Sequence, residues 1–236
     1  MSRRALINGC RRSLLSPFFS ISSISSSREA HTISTSPQYH TPRRTSSSSP
    51  FESNILRILL REIEYHYDYA SPRQPVTEYD RFMVEDRPGE QWITLRGKSA
   101  EDENIKIEAT MFDGSIVAPK SGEEGNEENV RLHICVLVDI WKGEGTDSLE
   151  FVCSAWPNSL KIQKVYIFRR DASPAHPYMG PDIKNLNKKL QSEFYNFLKS
   201  RGVDSDLSRF LHEYMANKDR IELIRWLGKV QSYLQK

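Results

Sequence analysis

The spacing of apolar residues changes period twice along this chain, from 3.6 to 2 and back to 3.6. That restricts the available folds more than any single motif does. In "SPFESNILRILLREIEYHYDY", Leu56, Leu59, Leu60, Ile63 and Tyr67 fall at three-and-four spacing, while Arg57, Arg61, Glu64 and Asp68 point elsewhere. Ser49 suits an N-cap, Pro50 the first helical position, and Glu52 completes a capping box. The helix has a defined start and one face that must pack on something. Pro72 and Pro75 end it.

From Thr77 to Arg170 the period is 2, which predicts strands near 78–86, 91–98, 104–112, 130–140, 148–157 and 160–170. In "VRLHICVLVDI", Val130, Leu132, Ile134, Val136, Val138 and Ile140 share one face. Arg131, His133, Cys135, Leu137 and Asp139 share the other, which is expected to be mixed and partly wet. Arg87-Pro88-Gly89-Glu90 suits a tight hairpin turn. Gly143 and Gly145, then Pro157-Asn158-Ser159, make the next links. Strands joined by such short links pair antiparallel, because parallel neighbours need crossover connections.

After Pro177 the helical period returns. Ile183, Leu186, Leu190, Phe194 and Phe197 form one stripe, and Leu207, Phe210, Leu211, Tyr214, Leu223, Leu227, Val230 and Leu234 form a second. A bend is expected near Ala216 to Asp219. Between the stripes, Gly202 falls where a helix ends in the left-handed conformation, with Val203 as the apolar contact beyond it. Asp204 or Ser205 caps the next helix. The predicted class is α+β: one helix, an antiparallel sheet, and two C-terminal helices folded back as a hairpin.

Charge divides the chain. Residues 1–48 include seven Arg, no Lys and one acid, Glu29, and residues 1–50 hold fifteen Ser. Leu6, Ile7, Leu14, Leu15, Phe18 and Phe19 lie among the arginines. This is the composition of an organelle transit peptide, and the Arg pairs with early apolar residues favour the mitochondrion. We therefore expect residues 1–48 to be a disordered leader and residues 49–236 to form one folded domain. Arg11, Arg12 and Pro17 interrupt any secretory apolar core, and no stretch is long and apolar enough for a membrane span. Beyond the leader the balance is acidic. Residues 51–180 carry fifteen bases against twenty-three acids, a net −8, whereas residues 181–236 carry eleven against seven, a net +4.

Few constellations suggest chemistry. Cys135 and Cys153 lie in strands and form no CxxC or zinc spacing. His133 and Cys135 share a strand face, but two soft ligands make no zinc site, and packing is the simpler reading. Asp113-Gly114-Ser115 reads as a turn. No GxSxG, P-loop, GxGxxG or HExxH is present, so the sequence offers no catalytic, cofactor or metal residues. In "SGEEGNEEN", Glu123, Glu124, Glu127 and Glu128 form an acidic loop that can steer basic partner segments or stand as a solvated hairpin loop. Lys184, Lys188, Lys189, Lys199 and Arg201 make the penultimate helix basic, with Tyr195 among them, leaving direct RNA binding open as an alternative.

"FLKSRGVDSDLSRFLHEY" continuing to "IELIRWLGKVQSYL", preceded by "RPGEQWITLRGK" and "IKIEATMFDGS", resembles the mitochondrial acidic matrix protein family, also called the mitochondrial glycoprotein family, in its plant-type branch. The resemblance spans about residues 50 to 236. It implies a strongly twisted antiparallel sheet of seven strands, with one N-terminal and two C-terminal helices, in a doughnut-shaped homotrimer. A seventh strand is then expected near Ala172 to Tyr178. Trimer contacts would account for apolar residues on both sheet faces. The resemblance also implies a non-enzymatic, multi-ligand chaperone or assembly adaptor of the matrix. Its partners would be basic or unassembled mitochondrial proteins, with ribosome association, and it would use no small-molecule substrate. The best-known members are strongly acidic, and the net charge of −4 beyond residue 50 departs from them.

Overall fold

The computed structural model describes residues 49–99, 102–117, 130–143, 147–168 and 178–236. Helix α1 (Pro50–Tyr69) starts on the expected capping box: the Glu52 amide donates to Ser49 Oγ at 3.1 Å, and the Ser49 amide to Glu52 Oε2 at 2.7 Å. Eight strands follow: β1 (Glu78–Tyr79), β2 (Phe82–Asp86), β3 (Trp92–Lys98), β4 (Glu103–Thr110), β5 (Gly114–Val117), β6 (Val130–Lys142), β7 (Ser148–Trp156) and β8 (Ser159–Phe168). A 3-10 turn (Ile183–Asn185) precedes helices α2 (Lys188–Lys199) and α3 (Ser205–Leu234).

The sheet runs in order β1-β2-β3-β4-β6-β7-β8, every pairing antiparallel, with β5 beside β6. Strand β6 is long enough to serve two neighbours on one edge. Its Val136–Lys142 part pairs with β4 and its Val130–His133 part with β5.

Two strand expectations need correction. The run 78–86 is two strands, because Asp80 takes φ +49 and turns the chain back at Asp80-Arg81. Asp tolerates that region better than most residues because its short side chain bonds locally; here Arg81 Nε donates to Asp80 Oδ2 at 3.2 Å. Strand β5 was not anticipated, since four residues are too few for an alternation signal. The strand expected near Ala172 to Tyr178 lies outside the described residues except for Tyr178, which is in no strand. The Arg87–Glu90 hairpin turn is as expected, with Gly89 at φ +84 and the Glu90 amide donating to the Arg87 carbonyl at 3.2 Å.

The core lies between one sheet face and the C-terminal helices. Ile105, Ile107, Ala109, Val136, Val138, Phe151 and Cys153 meet Leu198, Val203, Leu207, Leu211 and Met215. Burial of such side chains contributes about 1.5–3 kcal/mol each. The other face, expected to be partly wet, is buried along His133, Cys135, Leu137 and Asp139. Register places Lys106, Asp139, Glu150 and Tyr166 side by side across four strands there. Tyr166 donates to Glu150 Oε2 at 2.6 Å. Cross-strand polar pairing lets this face lose solvent while keeping polar side chains.

The C-terminal stripe beginning at Ile183 is not one helix. Asp182 Oδ1 caps the 3-10 turn, and Asn187 Oδ1 then accepts the Lys189 amide at 2.8 Å to start α2 afresh. Helix α3 is assigned as helical throughout Ser205–Leu234, including the stretch where a bend was expected. Helix α1 packs on α3, and the segment after it is tied down where Asn217 exchanges hydrogen bonds with Arg73 N and O at 2.8 and 2.9 Å.

Candidate functional site

The Gly202 corner forms as the residues suggest. The Val203 amide reaches back to the Leu198 carbonyl and the Gly202 amide to Lys199, both at 3.0 Å, while Gly202 takes φ +78. Leu198 and Val203 are buried together, which completes a Schellman ending. Asp204, rather than Ser205, is the cap, with Oδ1 accepting the Asp206 and Leu207 amides at 2.9 and 3.3 Å. The corner is tied to the sheet by Arg201, whose Nε donates to Glu103 Oε2 at 2.7 Å. Lys142 Nζ stands 3.3 Å from the other Glu103 oxygen. The Arg201 hydrogen bond holds the Glu103 carboxyl below its ordinary range, against the upward push of burial.

A second network joins the β2–β3 turn to α3, and no sequence motif announced it. Lys218 is only 1% exposed; its Nζ lies 2.5 Å from Asp86 Oδ1, 3.5 Å from Glu222 Oε1 and 3.4 Å from the Arg87 carbonyl. Tyr214 donates to Asp86 Oδ2 at 3.0 Å, and Glu222 accepts the Gly89 amide at 3.0 Å and a hydrogen bond from Arg225. Burial, then the Asp86 carboxylate, push the Tyr214 hydroxyl far above its ordinary value. Burial alone would raise Glu222, but bonds from Arg225 and Gly89 and the Lys218 charge bring it below the ordinary range. The four charges cancel, and the three Lys218 donors match three acceptors. A small cleft of about 210 Å³ opens beside this set, walled by Pro75, Val76, Val84 and Ile221. One signal was available. Tyr214, Lys218 and Glu222 continue the Leu207–Leu211 stripe at helical spacing, so charged residues stand where the core face should run.

The residues considered for chemistry converge in part. Asp113 Oδ1 lies 2.6 Å from His133 Nδ1, with side chains 1% and 0% exposed. Thr110 Oγ1 donates to Asp113 Oδ2 at 3.1 Å and accepts the Cys135 amide at 3.1 Å. Among the described residues His133 Nε2 has no hydrogen-bond partner, and its ring stands edge-on to Trp156 at 4.9 Å. A carboxylate orienting an imidazole is half of a nucleophile-activating arrangement, yet the distal nitrogen here is buried away from solvent. The group pins the kink where β4 gives way to β5. Nearby, His212 Nε2 lies 3.2 Å from the Ala155 carbonyl, and burial holds its pKa below the ordinary value.

Glu123, Glu124, Glu127 and Glu128 lie outside the described residues. Among the described residues, no group of three or more His, Cys, Asp or Glu could hold a metal ion, and no helix is long and apolar enough to cross a membrane. On α2, Lys188, Lys189 and Lys199 are exposed. Tyr195, the one aromatic offered there for base stacking, spends its hydroxyl as acceptor of the Ile162 amide at 3.2 Å.

The family model described as mitochondrial glycoprotein (MAM33) matches residues 59–234. The chain belongs to the mitochondrial glycoprotein family. Within this family, an uncharacterized mitochondrial protein of Arabidopsis thaliana is 31% identical over 163 residues, covering 65% of this chain and 62% of the relative. The chain's match thus spans less than two thirds of that plant relative. The mitochondrial acidic protein mam33 of Schizosaccharomyces pombe is 27% identical over 217 residues, covering 78% of each. Among solved structures, the p22 protein of Trypanosoma brucei aligns with TM-score 0.62 and 22% identity, covering 79% of this chain and 100% of that one. A Leishmania major protein described as a sequence homologue of human p32 aligns with TM-score 0.60 and 17% identity, covering 78% and 99%. These structural likenesses carry the fold. The fold these neighbours share with the chain is the one described above, an antiparallel sheet accompanied by three helices.

Proposed function

We propose that this member of the mitochondrial glycoprotein family is a non-enzymatic adaptor or chaperone of the mitochondrial matrix, delivered by residues 1–48 as a leader. It captures basic or unassembled proteins in mitochondrial gene expression or respiratory-complex assembly. The observation that carries the reading is the net −8 over residues 51–180, with four of those acids in Glu123, Glu124, Glu127 and Glu128. Acid concentrated on one part of a surface attracts basic segments at long range and raises their on-rate.

Self-association into a homotrimer would multiply each weak contact. It is favoured by large apolar side chains left in solvent on the helix pair, among them Phe51 at 73% and Tyr69 at 79% on α1, and Trp226 at 57% and Tyr233 at 77% on α3. The test is capture of a basic presequence peptide by the purified chain at low and high salt, with light scattering alongside. Capture that falls steeply with salt on a trimeric species is expected. Salt-independent capture would remove the steering mechanism, and a monomer would remove the ring. The second reading, RNA or ribosome contact through the basic C-terminal helices, is favoured by the exposed Lys188 and Lys189. Charge reversal at both should abolish RNA binding if it is right and leave capture of basic proteins intact if it is wrong.

A further inference from the structure

Strands β4 and β7 both stop short of the start of β6. The last β4 residue beside it is Ala109, opposite Val136, and the last β7 residue is Ala155, opposite Ile134. Val130–His133 therefore run on past both neighbours with β5 on one side only, as a two-stranded ribbon in the register Gly114↔His133 to Val117↔Val130. On the side where β7 has ended, Val130–Leu132 make no backbone hydrogen bond among the described residues. N–H and C=O groups point outward there from alternate residues, a template for pairing with another chain.

Sheets usually blunt such an edge with charges, proline or a covering element. Here a single charge stands against a run of exposed apolar side chains. Val130 and Leu132 leave 45% and 37% of their surface in water on one ribbon face, with exposed Val117 opposite Val130. Arg131, the one charged residue in Gly114–Val117 and Val130–Leu132, lies on the other face opposite Ile116. An isolated pair of strands this short is marginal in water, but this ribbon is anchored at its base. Asp113 Oδ1 lies 2.6 Å from His133 Nδ1, and Thr110 Oγ1 links Asp113 Oδ2 to the Cys135 amide. The edge is thus held in strand form before anything binds, which lowers the ordering cost of binding.

Backbone and charge together select an occupant. An open edge takes an extended chain through main-chain hydrogen bonds, and its face reads alternate side chains. The twelve residues joining β5 to β6 hold Glu123, Glu124, Glu127 and Glu128 against one Lys, a net −3 attached by the chain itself to the ribbon's end. We propose that the Val130–Leu132 edge binds an extended, basic segment of a client protein as an added strand. Apolar side chains at alternate positions lie beside Val130 and Leu132, and Lys or Arg at one end answers the acidic connection. This rests on the basic clients put forward above and supplies their mode of binding: charge brings the segment in, and backbone pairing orients it.

The experiment uses the full chain and a labelled peptide in which Val alternates with Thr before three terminal Lys. Two further copies are N-methylated on the backbone, one at the Val positions and one at the Thr positions. The unmethylated peptide is expected to bind, and one methylated copy to bind about tenfold more weakly than the other, because only one edge of the added strand pairs. In the unaltered protein, amide exchange should slow at Val130–Leu132, which keeps the test independent of variant folding. Leu132→Ser, a change at an exposed side chain, should weaken binding about threefold. Protection elsewhere would overturn the proposal, as would a fall in molecular mass on Leu132→Ser, which would mark the edge as a contact between copies. Equal binding of the two methylated copies with steep salt dependence would sink the strand mode and leave the basic-client reading standing. No binding of any of these basic peptides at low salt would end both.

Discussion

The Lys218 ammonium sits 2.5 Å from the Asp86 carboxylate, where the middle of α3 meets the end of β2. The two residues are 132 positions apart, and the pair joins the C-terminal helix to the first long hairpin of the sheet. Removing one partner of a buried pair costs more than the pair contributes, because the other charge is left without compensation. Lys218→Ala should therefore destabilise the chain by roughly 3 kcal/mol. Lys218→Met with Asp86→Asn should cost less than the sum of the single changes, as read by urea denaturation in a double-mutant cycle.

Gly202→Val should lower stability by about 2 kcal/mol, since a β-branched residue at φ +78 is strained. Its Cβ would also stand 3.2 Å from Asp80 Oδ2. Gly202→Asn, which tolerates that conformation, should lose less. Thermal melts of both variants check the order, and the mass of the assembled species should fall only where the fold weakens.

Asp113→Ala leaves a buried imidazole without its partner and should cost about 1–3 kcal/mol. The loss should be local. Amide exchange at Val130–Leu132, paired with β5, should quicken, while Val136–Ile140, between β4 and β7, keep their protection.

Acid should act in two steps. Burial lowers the His212 pKa beneath its ordinary 6.5, so the unfolded chain binds the extra proton first. The stabilisation from neutral His212 is complete above pH 6.5 and is lost as pH falls through the folded value. Glu103 and Glu222, held below 4.5, add a further loss beneath that pH. Urea midpoints measured from pH 8 to 4 should fall first below 6.5, and His212→Gln should flatten that first step.

Much of the architecture was legible because it rests on local physics. The Ser49 capping box, the Pro88-Gly89 turn and the Gly202 ending each depend on residues within a few positions of one another, and each formed; the β6 alternation did not, since Val130 and Leu132 are exposed and both faces are buried from His133 to Ile140. Two of the misses were also local. Asp80 in a left-handed turn split a strand that alternation had joined, and Asn187 restarted a helix that periodicity had run through from Ile183. A side chain that bonds its own backbone can outweigh a hydrophobic stripe, and the stripe does not show where that happens.

The sequence by itself determined the order of helix, strands and helices, the family and the division of charge, since all three are properties of spacing and composition. Only the tertiary structure decided which charges meet. Asp86 and Lys218, Glu103 and Arg201, and Asp113 and His133 are separated by 132, 98 and 20 positions. Their pairing follows from strand register and from where α3 crosses the sheet, and register is set by packing across the whole face rather than by any neighbour in the chain. A groove beside α2 has the same origin: Leu190, Phe194 and Phe197 are visible as a stripe in sequence, but Leu149 joins them only because β7 lies beneath that helix.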